Sequence, residues 1–282
     1  MNISQAILST LAYHDIFDYP LRAEEIHTYL IGKKSDIKSI LSSLIILELS
    51  GRILKQGSLY ALKGRKKLFT IRTQRQKYSK SKLNRAYFYA TLLTLIPTIK
   101  TIAVSGALAM QNSHKSDDID FLIITSKNTL WTTRFFANLI LFPFKRKPQL
   151  SSSHYSLASN NRACLNLFLD EQDLKIKEQN LYTAHELAQL KILYDKQKTY
   201  SRVIRSNNWL LKFLPNWKMY KLENGKWKME NLSLLEILLK KFQLAYMKSK
   251  ISTERIGDHQ LFFHPANTQD WVLREYKKRV RE

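Results

Sequence analysis

Two aspartates one residue apart, Asp118 and Asp120, lead into an apolar run, Phe121-Leu-Ile-Ile124. About a dozen residues earlier a second apolar run, Ile102-Ala-Val104, ends in Ser105-Gly106. A strand alternates its faces with period two, so residues 118 and 120 project to one side. At ~5 Å and an effective dielectric of ~20, two such carboxylates repel by roughly 3 kcal/mol. A sheet that keeps this pair beside apolar neighbours calls for a cation between them. The fold therefore has to be built around two strands, a Ser-Gly turn leaving the first and an acid pair opening the second.

The 282 residues suffice for two or three small domains. A single cysteine, Cys164, excludes an internal disulfide and fits a reducing compartment. Met1-Asn-Ile-Ser lacks the basic-then-apolar order of a signal peptide. The apolar cluster from Phe135 to Phe144 contains Asn138 and Pro143 and is too short to cross a bilayer. These features lead us to expect a cytoplasmic protein without a membrane partner.

The chain carries 46 basic and 23 acidic residues, a net charge of +23. Their distribution is uneven. From Leu49 to Ser116 there are fourteen Lys or Arg and no Asp or Glu, with eight of the bases between Arg65 and Lys82. Such a field attracts polyanions, and Arg65, Lys66, Lys67, Arg72 and Arg75 are the candidate contacts to RNA, DNA or a triphosphate tail. A generally lysine-rich composition is the other reading of this block.

Residues 3–14 carry a helical stripe of Ile3, Ile7, Leu8 and Leu11. Pro20 suits the first turn of a second helix that runs through Ile26 and Leu30 and stops at Gly32. Ser35 or Asp36 caps a third, with Ile37, Ile40, Leu41 and Leu44 on one face. Residues 52–55 and 58–62 flank Gln56-Gly57 as a hairpin. Three short helices and a hairpin make a winged helix-turn-helix over residues 1–63. Its third helix presents Lys38, Ser39, Ser42 and Ser43, with no arginine to read guanine edges, so packing or protein contact competes with DNA binding.

Residues 65–94 read as one long basic helix ended by Pro97. Strands are expected over 99–104, 118–125 and 162–169, with a helix from Asn128 to about Phe142 and a polar loop over 145–161. Beyond Asp170 the pattern is helical over 180–194, 199–213, 232–250 and 268–280. Asn224-Gly225 marks a further hairpin.

Residues 102–124 resemble the DNA polymerase beta-type nucleotidyltransferase superfamily, whose signature is an apolar strand, Gly-Ser or Gly-Gly, a spacer of about ten residues and Asp-x-Asp. The whole chain looks like bacterial proteins that place a winged helix before such a domain and whose substrates are unassigned. The phrases carrying that likeness are Tyr13-His-Asp-Ile-Phe-Asp-Tyr-Pro-Leu21, Ser105-Gly-Ala-Leu-Ala-Met110, Cys164-Leu-Asn-Leu-Phe168, Asn208-Trp209 with Leu214-Pro215-Asn216, and Phe262-Phe-His-Pro265. The resemblance implies an α+β fold with a small mixed-sheet nucleotidyltransferase core and a leading basic helix over residues 64–175. A winged helix precedes it and a helical region, 176–282, follows.

It further implies transfer of a nucleoside monophosphate from an NTP, with Mg²⁺ or Mn²⁺ held by Asp118 and Asp120. Ser105, Gly106, Ala107 and Asn166 would meet the nucleotide, with Gly106 letting backbone approach the phosphates. The acceptor stays open between an RNA end, a protein side chain and a small hydroxylated molecule. Two positions depart from the pattern. Ala107 stands where a serine or glycine is common, and Asn166 occupies the place of a third carboxylate. Asp170, four residues on, lies ~13 Å away along a strand and cannot substitute. These departures sustain an alternative, a nucleic-acid-binding or regulatory protein with an inactive transferase domain.

Other polar residues read more plainly. Asp117, His114 and Lys115 are loop residues, with phosphate contact the competing role for the last two. Arg134 beside Trp131 forms either a nucleotide contact or a structural cation–π pair. His259 and His264 lack partners at metal-ligand spacing. Cys164 sits in a buried strand, and the C-terminal aromatics Trp209, Trp217, Tyr220, Trp227, Tyr246 and Trp271 are packing groups.

Overall fold

A computed structural model describes residues 1–145, 161–219, 233–247, 255–262 and 267–281. The loop expected over 145–161 falls almost wholly outside the described residues, and the Asn224-Gly225 hairpin, Tyr220, Trp227 and His264 lie wholly outside them. The chain is α+β with a mixed sheet. No described helix is long and apolar enough to cross a membrane.

The first 62 residues form three helices and a small sheet. Helix α1 (Ile3–Asp15) begins with a capping box in which Asn2 and Gln5 satisfy each other's backbone N–H groups. Strand β1 (Leu21–Arg22) intervenes where the sequence predicts only helix, and α2 (Ala23–Thr28) stops short of Gly32. Pro20 fixes the entry to that strand rather than to a helix. Asp36 caps α3 (Ile37–Leu49) by accepting from the Ser39 N–H at 3.0 Å. Strands β2 (Ile53–Gln56) and β3 (Leu59–Leu62) pair antiparallel, and the sheet order is β1-β3-β2. Gly57 makes the turn with φ +60°. Ile7, Leu11, Leu21, Ile26, Ile40, Leu44 and Ile53 fill the core between these elements. Leu41, expected inside, is 42% exposed.

Helix α4 (Lys67–Leu93) spans the junction. Its first half is held by the N-terminal unit through ion pairs, and its second half, Leu83 to Leu93, packs on the larger sheet. That sheet contains β4 (Ile99–Val104), β5 (Ile119–Thr125), β6 (Ala163–Asp170), β7 (Lys191–Asp195), β8 (Arg255–Ile256) and β9 (Gln260–Phe262) in the order β7-β4-β5-β6-β9-β8. Among the described strands of this sheet, β5 and β6 are the one parallel pair. A parallel neighbour requires a crossover, and α6 (Leu130–Ile140) lies in it.

Both faces of the sheet are covered, which explains the nearly continuous apolar run in β5. Ile119, Phe121 and Ile123 face α4, α6 and α9 (Ser233–Met247). Leu122 and Ile124 face α7 (Leu181–Ala188), α8 (Thr199–Ser206) and the 3-10 turn Asn208–Lys212. Strand β7 replaces the C-terminal end of the helix expected over 180–194. Its residues Lys191-Ile-Leu-Tyr-Asp195 are all half-buried, so an edge strand and an amphipathic helix end look alike in the sequence. The helix expected over 199–213 likewise breaks at Asn207, whose side chain bonds the Leu174 carbonyl and the Ile176 N–H. The last helix, α10 (Asn267–Arg281), packs on α1 and α7.

Candidate functional site

At the end of β4 the chain turns through Ser105 into Gly106, which opens the four-residue α5 (Gly106–Ala109) with φ +59°. That conformation is costly for residues with a Cβ, and a Cβ built at Gly106 would meet nothing within 4 Å. The glycine therefore answers to backbone shape and leaves open space beside it. The Ser105 N–H donates to the Asp120 carbonyl at 3.1 Å, so antiparallel pairing of β4 and β5 seats the turn directly against the second aspartate.

Asp118 and Asp120 are both half-exposed. The Asp118 carboxylate accepts from the Arg162 N–H at 3.2 Å. The Asp120 carboxylate accepts from the Asn166 side-chain amide, and Asn166 Oδ1 accepts from the Cys164 thiol at 2.7 Å. A carboxylate can only accept, so Asn166 must turn its nitrogen to Asp120 and cannot add an acceptor oxygen there. A regular strand over 162–169 would put Cys164, Asn166 and Phe168 on one face. Instead, Phe121 pairs with Leu165 and Leu122 with Leu167, leaving Asn166 as an extra residue in β6. Phe168 is thereby rotated to the opposite face.

Lys82, only 1% exposed, reaches from α4 to donate to the Asp117 carbonyl. Burial lowers the pKa of its ammonium, and the negative charges of Asp117, Asp118 and Asp120 oppose that shift. Part of the cation demanded by the acid pair is thus supplied by the chain itself. Sequence reasoning placed Lys82 in the basic block and did not connect it with the acids. Asp117 accepts from the His114 N–H at 2.7 Å and closes the loop, as expected of a turn residue.

A carboxyl group absent from the sequence reading joins them. Glu186 on α7 is pushed up to about 7, first by burial and then by the charge of Asp120. Tyr182, one turn earlier on α7, is raised by Glu186, by burial and by Asp120. Tyr182 and Glu186 line a cavity of about 260 Å³. Its walls include Ser105, Leu122 and Leu167 from the sheet side, with Gln269 and Asp270 from α10. Among the described residues, no three His, Cys, Asp or Glu side chains form a metal cage. Mg²⁺ does not require one: it keeps several waters and is commonly bound by one or two carboxylates together with substrate phosphates. The half-exposed pair Asp118 and Asp120 fits that mode.

The remaining candidates sit elsewhere. Arg134 stacks over Trp131, 6.0 Å from its centroid, and donates to Gln243 of α9, on the opposite face of the sheet from Glu186. Asp170 pairs with Thr125 at the far end of β5 and accepts from the Asn128 and Gln172 N–H groups. His259 lies beside Asp170. Three of the five candidate polyanion contacts are engaged internally. Arg65 pairs with Asp15 and Asp18, Arg72 with Glu25, and Arg75 with Asp18. Lys66 and Lys67 are exposed. On α3 the outward residues include Leu41, Ile45, Ile46 and Leu49, an apolar surface unsuited to phosphates. Comparison with family models, curated proteins and solved structures finds no match for this chain.

Proposed function

We propose that the chain is a metal-dependent nucleotidyltransferase with an N-terminal winged helix, and that residues 64–175 hold its catalytic core. The observation carrying this reading is the contact between the Ser105 N–H and the Asp120 carbonyl, which sets the positive-φ Gly106 and its open flank beside two half-exposed aspartates. An NTP phosphate fits there because backbone can approach it closely at a glycine. Asp118 and Asp120 would hold Mg²⁺, which supplies charge neutralisation at the transferring phosphate. Asn166 orients Asp120 through its amide. Lys82 offsets the mutual repulsion of the acids before nucleotide binds. Ala107 offers no hydroxyl, so phosphate contacts at the turn come from backbone.

The test is pyrophosphate release from each of the four NTPs with Mg²⁺, comparing wild type with Asp120→Asn. We expect a loss of at least a hundredfold, the scale of removing a positioned electrostatic group. Equal release from both proteins refutes the mechanism.

A further inference from the structure

The cavity beneath α7 begins beside the acid pair. Leu122 follows Asp120 by two residues on the same face of β5, a separation of ~7 Å, and Ser105 belongs to both the turn and the cavity wall. Its floor and sides are apolar: Leu122, Leu167, Ile176, Leu187, Leu190 and Phe262. Its ionisable groups are unbalanced. Arg255 is paired with Glu178 and stacked 4.5 Å from the centroid of Phe262, which leaves Glu186 and Asp270 as the remaining charges on the wall among the described residues. A polyphosphate or an RNA end would meet carboxylates there, despite the basic character of the whole chain. The volume approaches the ~300 Å³ at which ordinary small-molecule pockets begin.

Resting on the nucleotidyl-transfer reading above, we infer that this cavity receives the acceptor. That acceptor is a small cationic amino alcohol with an apolar body, and Glu186 takes the proton from its hydroxyl. The hydroxyl oxygen forms a bond to the α-phosphorus of the NTP. The bond from that phosphorus to its bridging oxygen breaks, pyrophosphate leaves with the electron pair, and the proton passes to the Glu186 carboxylate. Tyr182, at the previous turn of α7, forms the wall next to Glu186.

The experiment uses the full chain and saturation-transfer NMR without nucleotide. The probes are 6-amino-1-hexanol, glucosamine, glucosamine 6-phosphate, adenosine and a twelve-nucleotide RNA. At least one of the two amino alcohols should bind at least tenfold more tightly than glucosamine 6-phosphate. Gln269→Trp, a rim substitution that fills the mouth, should abolish that binding with an unchanged melting temperature, and Thr268→Trp repeats the test from the adjacent position. Glu186→Gln removes one of the two wall carboxylates, so it should bind the amino alcohol several-fold more weakly, and at saturating amino alcohol it should lower stimulated pyrophosphate release at least a hundredfold. No binding by either amino alcohol, equal or tighter binding of the phosphate ester, adenosine or RNA, or binding insensitive to both rim variants overturns the acceptor assignment. Wild-type release by Glu186→Gln overturns its role as base. Binding that obeys the rim variants in a wild type that releases no pyrophosphate overturns the transfer reading and retains the cavity as a small-molecule site.

Discussion

Replacing Arg72 with alanine should destabilise the protein by about 3 kcal/mol, whereas the same change at Lys66, six residues away in the basic block, should cost less than ~0.5 kcal/mol. Arg72 is 3% exposed and donates to Glu25 at 2.7 and 3.0 Å and to the Pro20 carbonyl, with its guanidinium 4.0 Å from the centroid of Tyr19. Truncation leaves the Glu25 charge without its partner, and breaking a buried pair from one side costs roughly 3–5 kcal/mol. The lower end applies because the Glu25 side chain keeps 24% of its exposure. The pH dependence follows from the same contact. Burial raises the pKa of Glu25, but the hydrogen bonds and charge of Arg72 outweigh it, so the folded value lies below the unfolded 4.5. A depressed carboxyl contributes stability above its unfolded pKa and loses it as pH falls through the folded value. The gap between wild type and Arg72→Ala should therefore be full at pH 7 and shrink below pH 4.5. Urea denaturation followed by tryptophan fluorescence at pH 7 and pH 3.5 measures both quantities. Equal costs for Arg72→Ala and Lys66→Ala at pH 7 would refute the internal use of this arginine and return it to the polyanion surface.

Gly106→Ala should cost only about 1–2 kcal/mol of stability, the penalty of a positive φ, because the added methyl meets no protein atom; on the proposed function it should nevertheless abolish pyrophosphate release by entering the phosphate space. Asn166→Asp would set a second acid against Asp120, so the metal-free protein should lose roughly 2 kcal/mol after allowing for partial solvent exposure. Its melting temperature should then rise with Mg²⁺ or Mn²⁺ by several degrees more than that of wild type, and identical shifts would count against metal binding at this site. His14, packed edge-on against His185 and Tyr13 and holding the Thr10 carbonyl through Nδ1, is lowered by burial to about 4 from 6.5. A lowered histidine is neutral when folded, so the unfolded chain binds the extra proton and stability falls by up to about 3 kcal/mol between pH 6.5 and pH 4. His14→Phe should flatten that decline in melting temperature, and an unchanged slope would show that His14 does not cause it.

How far the sequence reveals this arrangement depends on the range over which each residue is decided. The β4–turn–β5 unit is legible because its determinants are local: two continuous apolar runs, a glycine at a positive φ and two acids spaced by the period of a strand. The helix over 65–94 is legible for the same reason. The meaning of its charges is not. Arg65, Arg72 and Arg75 look unopposed because no acid lies within their own segment, but Asp15, Asp18 and Glu25 return to them across 47 to 57 positions. The phrase Tyr13 to Leu21, which carried part of the family resemblance, is largely the surface that receives them. An acid-free window is therefore weak evidence for a polyanion partner until the rest of the chain has been searched for its neutralising carboxylates. Glu186 shows the same limit from the opposite side. In the sequence it is one glutamate between His185 and Leu187. Tertiary packing turns His185 against Tyr13 at 3.9 Å and sets Glu186 in the cavity wall on the Asp120 side of the sheet. The only local signal is its place in α7, where Leu181, Ala184, Leu187 and Ala188 already occupy the apolar stripe, so a charged neighbour must sit at the edge of the buried face. An amphipathic helix following the acid pair, with a glutamate on that edge, is what a search for a missing carboxylate should inspect.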